Sequence, residues 1–211
     1  MTISVSLLES NSQIQAKIYK ELARQLNGLV RKNKNNVLRK LKDYIKVWVA
    51  QSPEMASLLS QGLDGSLNAL FGLIPGSPVS AVDAIASSVA DATSINIKNV
   101  SQRNLAGTIE FNFQSADFAN LLALPEGHQL SEEGIDLHWL DWLLTKGDSI
   151  IIQGYYYDPK GEGRSGGGTM KLGGTFRVPP EFSGTTGNNF VTRLFEGKQK
   201  ALQNVLSNLL S

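Results

Sequence analysis

The first fifty residues carry a helical pattern of apolar positions. Two apolar stripes recur every three or four residues, at Ile14, Ile18, Leu22, Leu26 and Leu29 and then at Val37, Leu41, Ile45 and Trp48. This spacing places each stripe on one face of an α-helix. The polar run at 33–36 has low helix propensity and indicates a break. Residues 12–50 are therefore predicted to form two helices or one kinked helix.

Residues 52–93 continue the helical pattern, with small side chains and without any Lys or Arg. Pro53 suits the first turn of a short helix that ends near Ser60. A loop rich in Gly and Pro at 72–78 precedes a second helical stripe that begins at Val79. The region 1–93 is therefore predicted to be mainly helical.

After residue 93 the spacing of apolar residues changes from the helical period to alternation with polar residues. Apolar and polar residues alternate over 95–97 and again over 108–113, which is typical of strands with one buried face. A short helix is expected over 116–124, where Pro125 ends it. These features begin the second region of the chain, 94–211.

A further helix is predicted from Ile135 to Lys146. Ile135, Trp139 and Trp142 fall on one helical stripe. Lys146 and Gly147 form a typical helix end, because a cation suits the last turn and a glycine can adopt positive φ.

A long β-hairpin follows this helix. Three isoleucines at 150–152 and three tyrosines at 155–157 are β-branched or aromatic, so the first segment is a predicted strand. Met170, Leu172, Phe176 and Val178 lie at even positions, which predicts a second strand with one buried face. A glycine-rich loop at 158–168 joins them and forms a flexible tip. We expect the strands at 95–97 and 108–113 to complete one small antiparallel sheet with this hairpin.

The C-terminal segment 189–210 is predicted to be a helix. Its apolar face comprises Phe190, Leu194, Leu202, Val205 and Leu209, with Leu206 alongside. The fold class is therefore α+β, with a helical N-terminal half, a small antiparallel sheet with a long hairpin, and a C-terminal helix. The regions 1–93 and 94–211 are expected to form one structural unit.

Several pieces of the last third resemble the neck and tail-completion proteins of tailed bacteriophages. In chain order these pieces are Trp139-Leu140-x-Trp142-Leu143-Leu144-x-x-Gly147-Asp148, Gly163-Arg164-Ser165-Gly166-Gly167-Gly168, Arg177-Val178-Pro179-Pro180-Glu181-Phe182-Ser183-Gly184-Thr185 and Asn189-Phe190-x-Thr192-Arg193. The resemblance implies a non-enzymatic virion subunit that forms a homo-oligomeric ring in the neck, between the capsid portal or adaptor ring and the tail proteins. Genomic DNA would pass through its lumen, and assembly would occur in the host cytoplasm.

Charge is strongly segregated although the net charge is only +1. Residues 17–46 contain ten Lys and Arg against two acidic residues, and residues 110–162 contain ten acidic residues against two Lys. The basic segment fits a DNA channel, the acidic face of a neighbouring subunit, or the solvated side of a helix. Candidate contacts with DNA or a neighbour are Lys34, Arg39, Lys40, Lys42, Lys160 and Arg164. Candidate interface residues are Trp48, Phe190, Leu202 and Leu206.

The sequence motifs that could indicate an enzyme or a cofactor site are weak. Residues 161–166 satisfy G-x-G-x-x-G, but a strand rather than a helix follows, so no helix N-terminus would hold a pyrophosphate. The chain has no Cys and only two histidines, His128 and His138, and Asp136-x-His138 lacks a clear third metal ligand. Pairs such as Asp141 and Asp148, or Glu132 and Glu133, occur in any acidic protein. We therefore expect no catalytic residue, metal or cofactor.

Two functions remain as hypotheses. The first is the neck ring that joins capsid to tail, with the hairpin reaching a neighbour or the next ring. The alternative is a sequence-nonspecific DNA-binding protein that uses the basic helices at 17–46, where Tyr19, Tyr44 and Trp48 are interleaved. No signal peptide is evident at the N-terminus, and prolines interrupt the most apolar stretch, 67–90, so no membrane partner is expected.

Overall fold

The computed structural model describes residues 8–60, 65–115, 117–130, 134 and 136–210. The helices in this part of the chain are α1 (Asn11–Ala50), α2 (Pro53–Leu59), α3 (Leu67–Phe71), α4 (Ser77–Ala92), α5 (Ala119–Leu122), α6 (Trp139–Leu144) and α7 (Gln199–Ser207). The strands are β1 (Ser94–Lys98), β2 (Thr108–Asn112), β3 (Gln129–Leu130), β4 (Asp136–Leu137), β5 (Ile152–Asp158) and β6 (Thr169–Phe176). A 3-10 turn spans Pro125–Gly127. This mixture of helix and antiparallel strand is the predicted α+β class.

Helix α1 runs without a break through the predicted interruption at 33–36. Ser10 and Gln13 form a capping box that satisfies the first backbone donors. The expected break is wrong because Asn costs only about 0.7 kcal/mol of helix propensity, whereas Val30, Val37 and Leu41 on either side are buried. The burial of these side chains, with α1 packed mainly on α4, therefore outweighs the local preference of the asparagines.

One hydrophobic core joins the two predicted regions. Buried side chains of α1, α2 and α4 share a cluster with Trp139 and Leu143 of α6 and with Phe190 near the C-terminus. The aromatic rings of Trp48 and Phe195 meet edge to face, with their centroids 6.0 Å apart. The regions 1–93 and 94–211 thus contribute to the same interior.

The strands pair as three separate two-stranded antiparallel sheets, β1–β2, β3–β4 and β5–β6. The single sheet expected from β1, β2 and the hairpin is not formed in the described residues. Asn27 of α1 holds the end of β1 through two hydrogen bonds with Val100, whereas the loop of the β5–β6 hairpin contacts Gly72 beyond α3.

A β-bulge interrupts the alternation predicted for β6. The register shifts between Gln153 and Tyr155, and Gly173 and Gly174 opposite them have positive φ. An extra residue in one strand moves later side chains to the other face. Phe176 is buried as expected, but Leu172 is 78% exposed, so the prediction of one continuous buried face is wrong at Leu172.

The predicted helices of the second region are shorter than expected. Helix α6 begins at Trp139 after the short strand β4, and Ile135 lies outside the described residues. Helix α5 covers only Ala119–Leu122, and Ala116 also lies outside them. Residues 189–198 form turns, and only α7 is helical. The side chain of Asn189 accepts hydrogen bonds from the backbone N–H groups of Val191 and Thr192, which stabilises a turn in place of the first helical turn.

Candidate functional site

Helix α1 presents a basic side along most of its length. Lys17, Lys20, Arg24, Arg31 and Lys46 recur at spacings that keep them on one side of a helix. This row spans about 44 Å at 1.5 Å per residue. Its charge is partly balanced, because Lys17 pairs with Glu9 and Arg24 pairs with Glu21. Hydrogen bonds from Arg24 and then Gln25 lower the pKa of Glu21 to about 2, so Glu21 stays charged at neutral pH.

The four α1 residues singled out from the sequence do not form one surface. Arg39 donates a hydrogen bond to Asn36, and Lys42 forms a 3.1 Å ion pair with Asp91 of α4. Lys34 is half-buried, and Lys40 borders a shallow groove between α1 and α7. Residues two apart point to different sides of a helix. By helical spacing Arg39 and Lys42 lie on the same side of α1 as the basic row, whereas Lys34 and Lys40 point away from it.

The N-terminal part of α1 projects an apolar stripe that the described part of the chain does not cover. We call the helical segment 11–22 the arm. No arm residue is buried, and Ile18 is 51% and Leu22 41% exposed. The first buried residue of α1 is Ala23. Among the described residues, the first tertiary hydrogen bond from α1 comes from Asn27.

The glycine-rich loop of the hairpin folds back onto the protein. The Arg164 Nε donates a 2.5 Å hydrogen bond to the Gly72 carbonyl, and the Tyr157 hydroxyl accepts one from the Gly65 N–H. Gly168 has a φ of +62°, and a Cβ there would overlap the Tyr157 ring, so only glycine fits this position. The loop is thus held against Gly72 by Arg164, while Arg164 itself remains exposed and stays a candidate contact. Lys160 is exposed, and no partner is seen for its ammonium in the described part of the chain.

A groove lies between this hairpin and the α3–β4 side of the protein. Its volume is about 570 Å³. The walls are mainly apolar and aromatic, from Phe71, Leu137, Trp142, Ile152, Tyr155 and Met170. Arg164 and Asp136 supply charge at its walls. Neither the groove nor its link to α3 could be predicted from the sequence, because they depend on how the loop folds back.

The candidate interface residues are involved in packing within the chain. Trp48 and Phe190 are buried in the core, and Leu202 and Leu206 of α7 are half-buried against it. Tyr44 stacks on the Trp48 ring at 5.7 Å between centroids, and the Lys198 ammonium lies 5.8 Å from it. These contacts give Trp48 and Phe190 a structural role in the core.

The two histidines form a stacked pair that sequence reasoning missed. The His128 and His138 rings are 4.0 Å apart between centroids, and His128 Nδ1 lies 2.8 Å from the Asp136 carboxylate. Burial, followed by the charge that His128 can carry, lowers the pKa of His138. The β3–β4 pairing brings Asp136 back beside His128, and this tertiary contact leaves no periodic signal in the sequence.

Three of the four pieces that carry the phage resemblance meet in a compact corner around α6, whereas the piece at 163–168 lies in the hairpin loop against Gly72. The Gly184 N–H donates to the Trp142 carbonyl, and the Gly147 N–H donates to the Gly184 carbonyl. Asn189 is fully buried and bonds the carbonyls of Leu144 and Thr185. Three separate pieces of the resemblance thus form one structural unit.

The described residues hold no group of three or more His, Asp or Glu side chains placed to bind a metal ion. None of the helices within the described ranges has both the length and the apolar character needed to cross a membrane. Comparison of the chain with protein-family models, curated proteins and solved structures finds no significant match.

Proposed function

We propose that this protein is a structural virion subunit that forms a ring in the neck of a tailed phage and joins the capsid portal or adaptor to the tail. The observation that carries the proposal is the corner around α6. The motif pieces that resemble neck and tail-completion proteins are separated in sequence, yet Trp142, Gly147, Gly184 and Asn189 are joined by hydrogen bonds. If this chain shares a fold with neck and tail-completion proteins, the residues that they have in common should form one structural unit, as these do.

The exposed surfaces also support a role in assembly. An apolar stripe on the arm and a largely apolar groove beside the hairpin are both left open by the described residues. Exposed apolar surface of this kind often marks protein–protein contact sites. The protein would then act through its subunit interfaces and the pore of the ring. Genomic DNA would pass through the ring lumen without sequence-specific contact.

Light scattering across protein concentration, alone and with tailless heads, tests this proposal. We expect either a closed oligomer in solution or a monomer that assembles on tailless heads and restores tail joining. A bovine serum albumin sample of equal mass concentration controls for nonspecific adsorption to heads. A chain that stays monomeric at every concentration and ignores the heads would contradict the proposal.

The basic row on α1 favours a second candidate, sequence-nonspecific DNA binding. Lys20 and Lys46 of the row, and Lys32 at its edge, have no ion pair within the described ranges and are exposed, so they are available to phosphates. The same side chains could face the lumen of a ring. Salt-dependent DNA binding by the monomer would separate the two functions.

A further inference from the structure

We infer that His128 and His138 form a pH-sensitive latch, which holds the β3–β4 pair against the start of α6 and opens when both rings are protonated. The inference concerns the single subunit and does not rest on the neck-ring proposal. The two rings stack with 4.0 Å between their centroids. His128 immediately precedes β3 and His138 immediately follows β4, so the stack continues the antiparallel register of the pair by one position.

A single proton fits this arrangement, whereas a second one does not. His128 Nδ1 lies 2.8 Å from the Asp136 carboxylate, so a protonated His128 already has an anionic hydrogen-bond acceptor within reach. The His138 Nε2 is buried and has no hydrogen-bond partner among the described residues. Because both ring nitrogens of a protonated histidine carry hydrogen, the Nε2–H of a charged His138 would lie buried without an acceptor.

The surrounding charges do not remove this conflict. Burial, followed by the charge that His128 can carry, lowers the pKa of His138, and Asp141 and Asp136 only partly oppose the shift. The 3-10 turn that packs on α6 carries Glu126, and α5 carries no charged residue. Two cations held at stacking distance repel each other. Separation of the rings would relieve this repulsion and give the buried ring access to water.

In the described part of the chain, little else holds the β3–β4 pair in place. The pair consists of Gln129 opposite Leu137 and Leu130 opposite Asp136, and Leu130 is 62% exposed. Trp139, by contrast, is fully buried and keeps α6 in the core. Opening is therefore local to the β3–β4 pair. Because Gln129, Asp136 and Leu137 line the groove beside the β5–β6 hairpin, opening would also displace one wall of that groove.

Hydrogen exchange measured by mass spectrometry from pH 7 to pH 5.5, corrected for the intrinsic exchange rate, tests the latch. Protection of peptides covering 128–138 should be greatest above about pH 6.5. Below that pH it should fall by up to about tenfold per pH unit, because the open form binds one more proton than the closed form. Peptides from α1 should stay better protected by about a hundredfold or more. Constant protection of 128–138, or equal protection in the two regions, would overturn the inference.

NMR of the histidine rings follows the stack itself. His128 and His138 are the only histidines of the chain, so both ring signals can be followed over the same pH range. We expect the ring-current shifts that the stack produces to disappear as the second ring takes up its proton. If both rings titrate and keep these shifts, the stack tolerates two charges and the latch is wrong.

Three variants separate charge from packing. His138→Gln cannot take up the second proton, so the protection of 128–138 should lose most of its pH dependence. Asp136→Asn keeps both histidines but removes the carboxylate that offsets their charge, so protection at pH 5.5 should fall below that of the wild type. Asp148→Asn removes a carboxylate from an exposed position outside the pair and should behave as the wild type.

The variants also give the outcomes that would contradict the latch. Wild-type pH dependence in His138→Gln would show that another group controls the opening. If His138→Gln lowers the protection at every pH, the comparison of Asp136→Asn with Asp148→Asn decides, because both retain the two histidines. Equal protection of these two variants at pH 5.5 would overturn the inference.

Discussion

Asn189 and Arg193 show how single polar residues hold the corner around α6. The Asn189 side chain donates to the carbonyls of Leu144 and Thr185 and accepts from two backbone N–H groups. Its hydrogen-bonding capacity is therefore met inside the protein, as expected of a buried amide. Arg193 continues the corner to α2, where one of its nitrogens lies 2.5 Å from the Glu54 carboxylate.

Arg193→Leu should strongly destabilise the fold. Glu54 is only 1% exposed, and removal of its cation would leave a buried carboxylate without a charge partner. Breaking a buried pair in this way costs about 3–5 kcal/mol. Urea titration followed by circular dichroism measures the change in the free energy of unfolding.

The matched control replaces both partners. Glu54→Leu with Arg193→Leu removes the unpaired charge, and we expect it to recover much of the stability lost in Arg193→Leu. A loss of less than about 1 kcal/mol in the single variant would show that the pair is solvated and contributes little to the corner.

The histidine pair predicts a loss of stability on mild acidification. The folded-state pKa of His138 lies below the unfolded value near 6.5 because the ring is partly buried and faces His128, with Asp136 and Asp141 opposing the shift. Between these two values the unfolded chain binds more protons. The stability contribution of neutral His138 is therefore present above about pH 6.5 and is lost as the pH falls through the folded pKa.

The free energy of unfolding, measured by urea titration from pH 7 to pH 5.5, tests this effect. We expect it to fall across this range in the wild type and to change less in His138→Gln. His128→Gln should give an intermediate slope, because it removes the charge but leaves the burial. Equal slopes in the wild type and His138→Gln would show that other groups control the pH dependence.

At the scale of elements, periodicity predicted most of the longer helices and strands but not where they end, and it missed α3, β3 and β4. The short helix at Pro53 and the strands near Ile95 and Ile109 are confirmed, because each is set by local residues. The continuity of α1 could not be predicted, since it depends on packing against α4 rather than on the propensity of Asn33 and Asn36.

The hairpin shows a second limit on sequence-based prediction. Both strands and the glycine-rich loop were predicted, but the bulge at Gly173 and Gly174 requires knowledge of the cross-strand register. The bulge leaves Leu172 exposed and Phe176 buried. Glycines inside a strand pattern indicate such bulges, so a signal was present at this position. The return of Arg164 to Gly72 had no comparable signal, because it joins residues far apart in sequence.

At the scale of the whole molecule, the sequence predicts one basic and one acidic segment. It does not predict where these charges lie in the folded protein. The basic excess of 17–46 becomes a row on one side of α1, while much of the acidic excess of 110–162 is paired locally. Glu110 pairs with Lys98 and Asp158 pairs with Lys171. The basic row can be tested independently of ring assembly.

Salt-dependent DNA binding is the measurement that tests this row. If it contacts phosphates, the slope of log K against log salt should flatten by up to about 3 on duplex DNA in the combined variant Lys20→Gln, Lys32→Gln and Lys46→Gln. A control with Arg103→Gln, Arg177→Gln and Lys200→Gln removes the same charge outside α1, from exposed residues, and should keep the wild-type slope. Equal losses in the two variants would indicate a general effect of net charge. No DNA binding by the wild type would remove the DNA-binding alternative and leave the basic row to contacts between subunits.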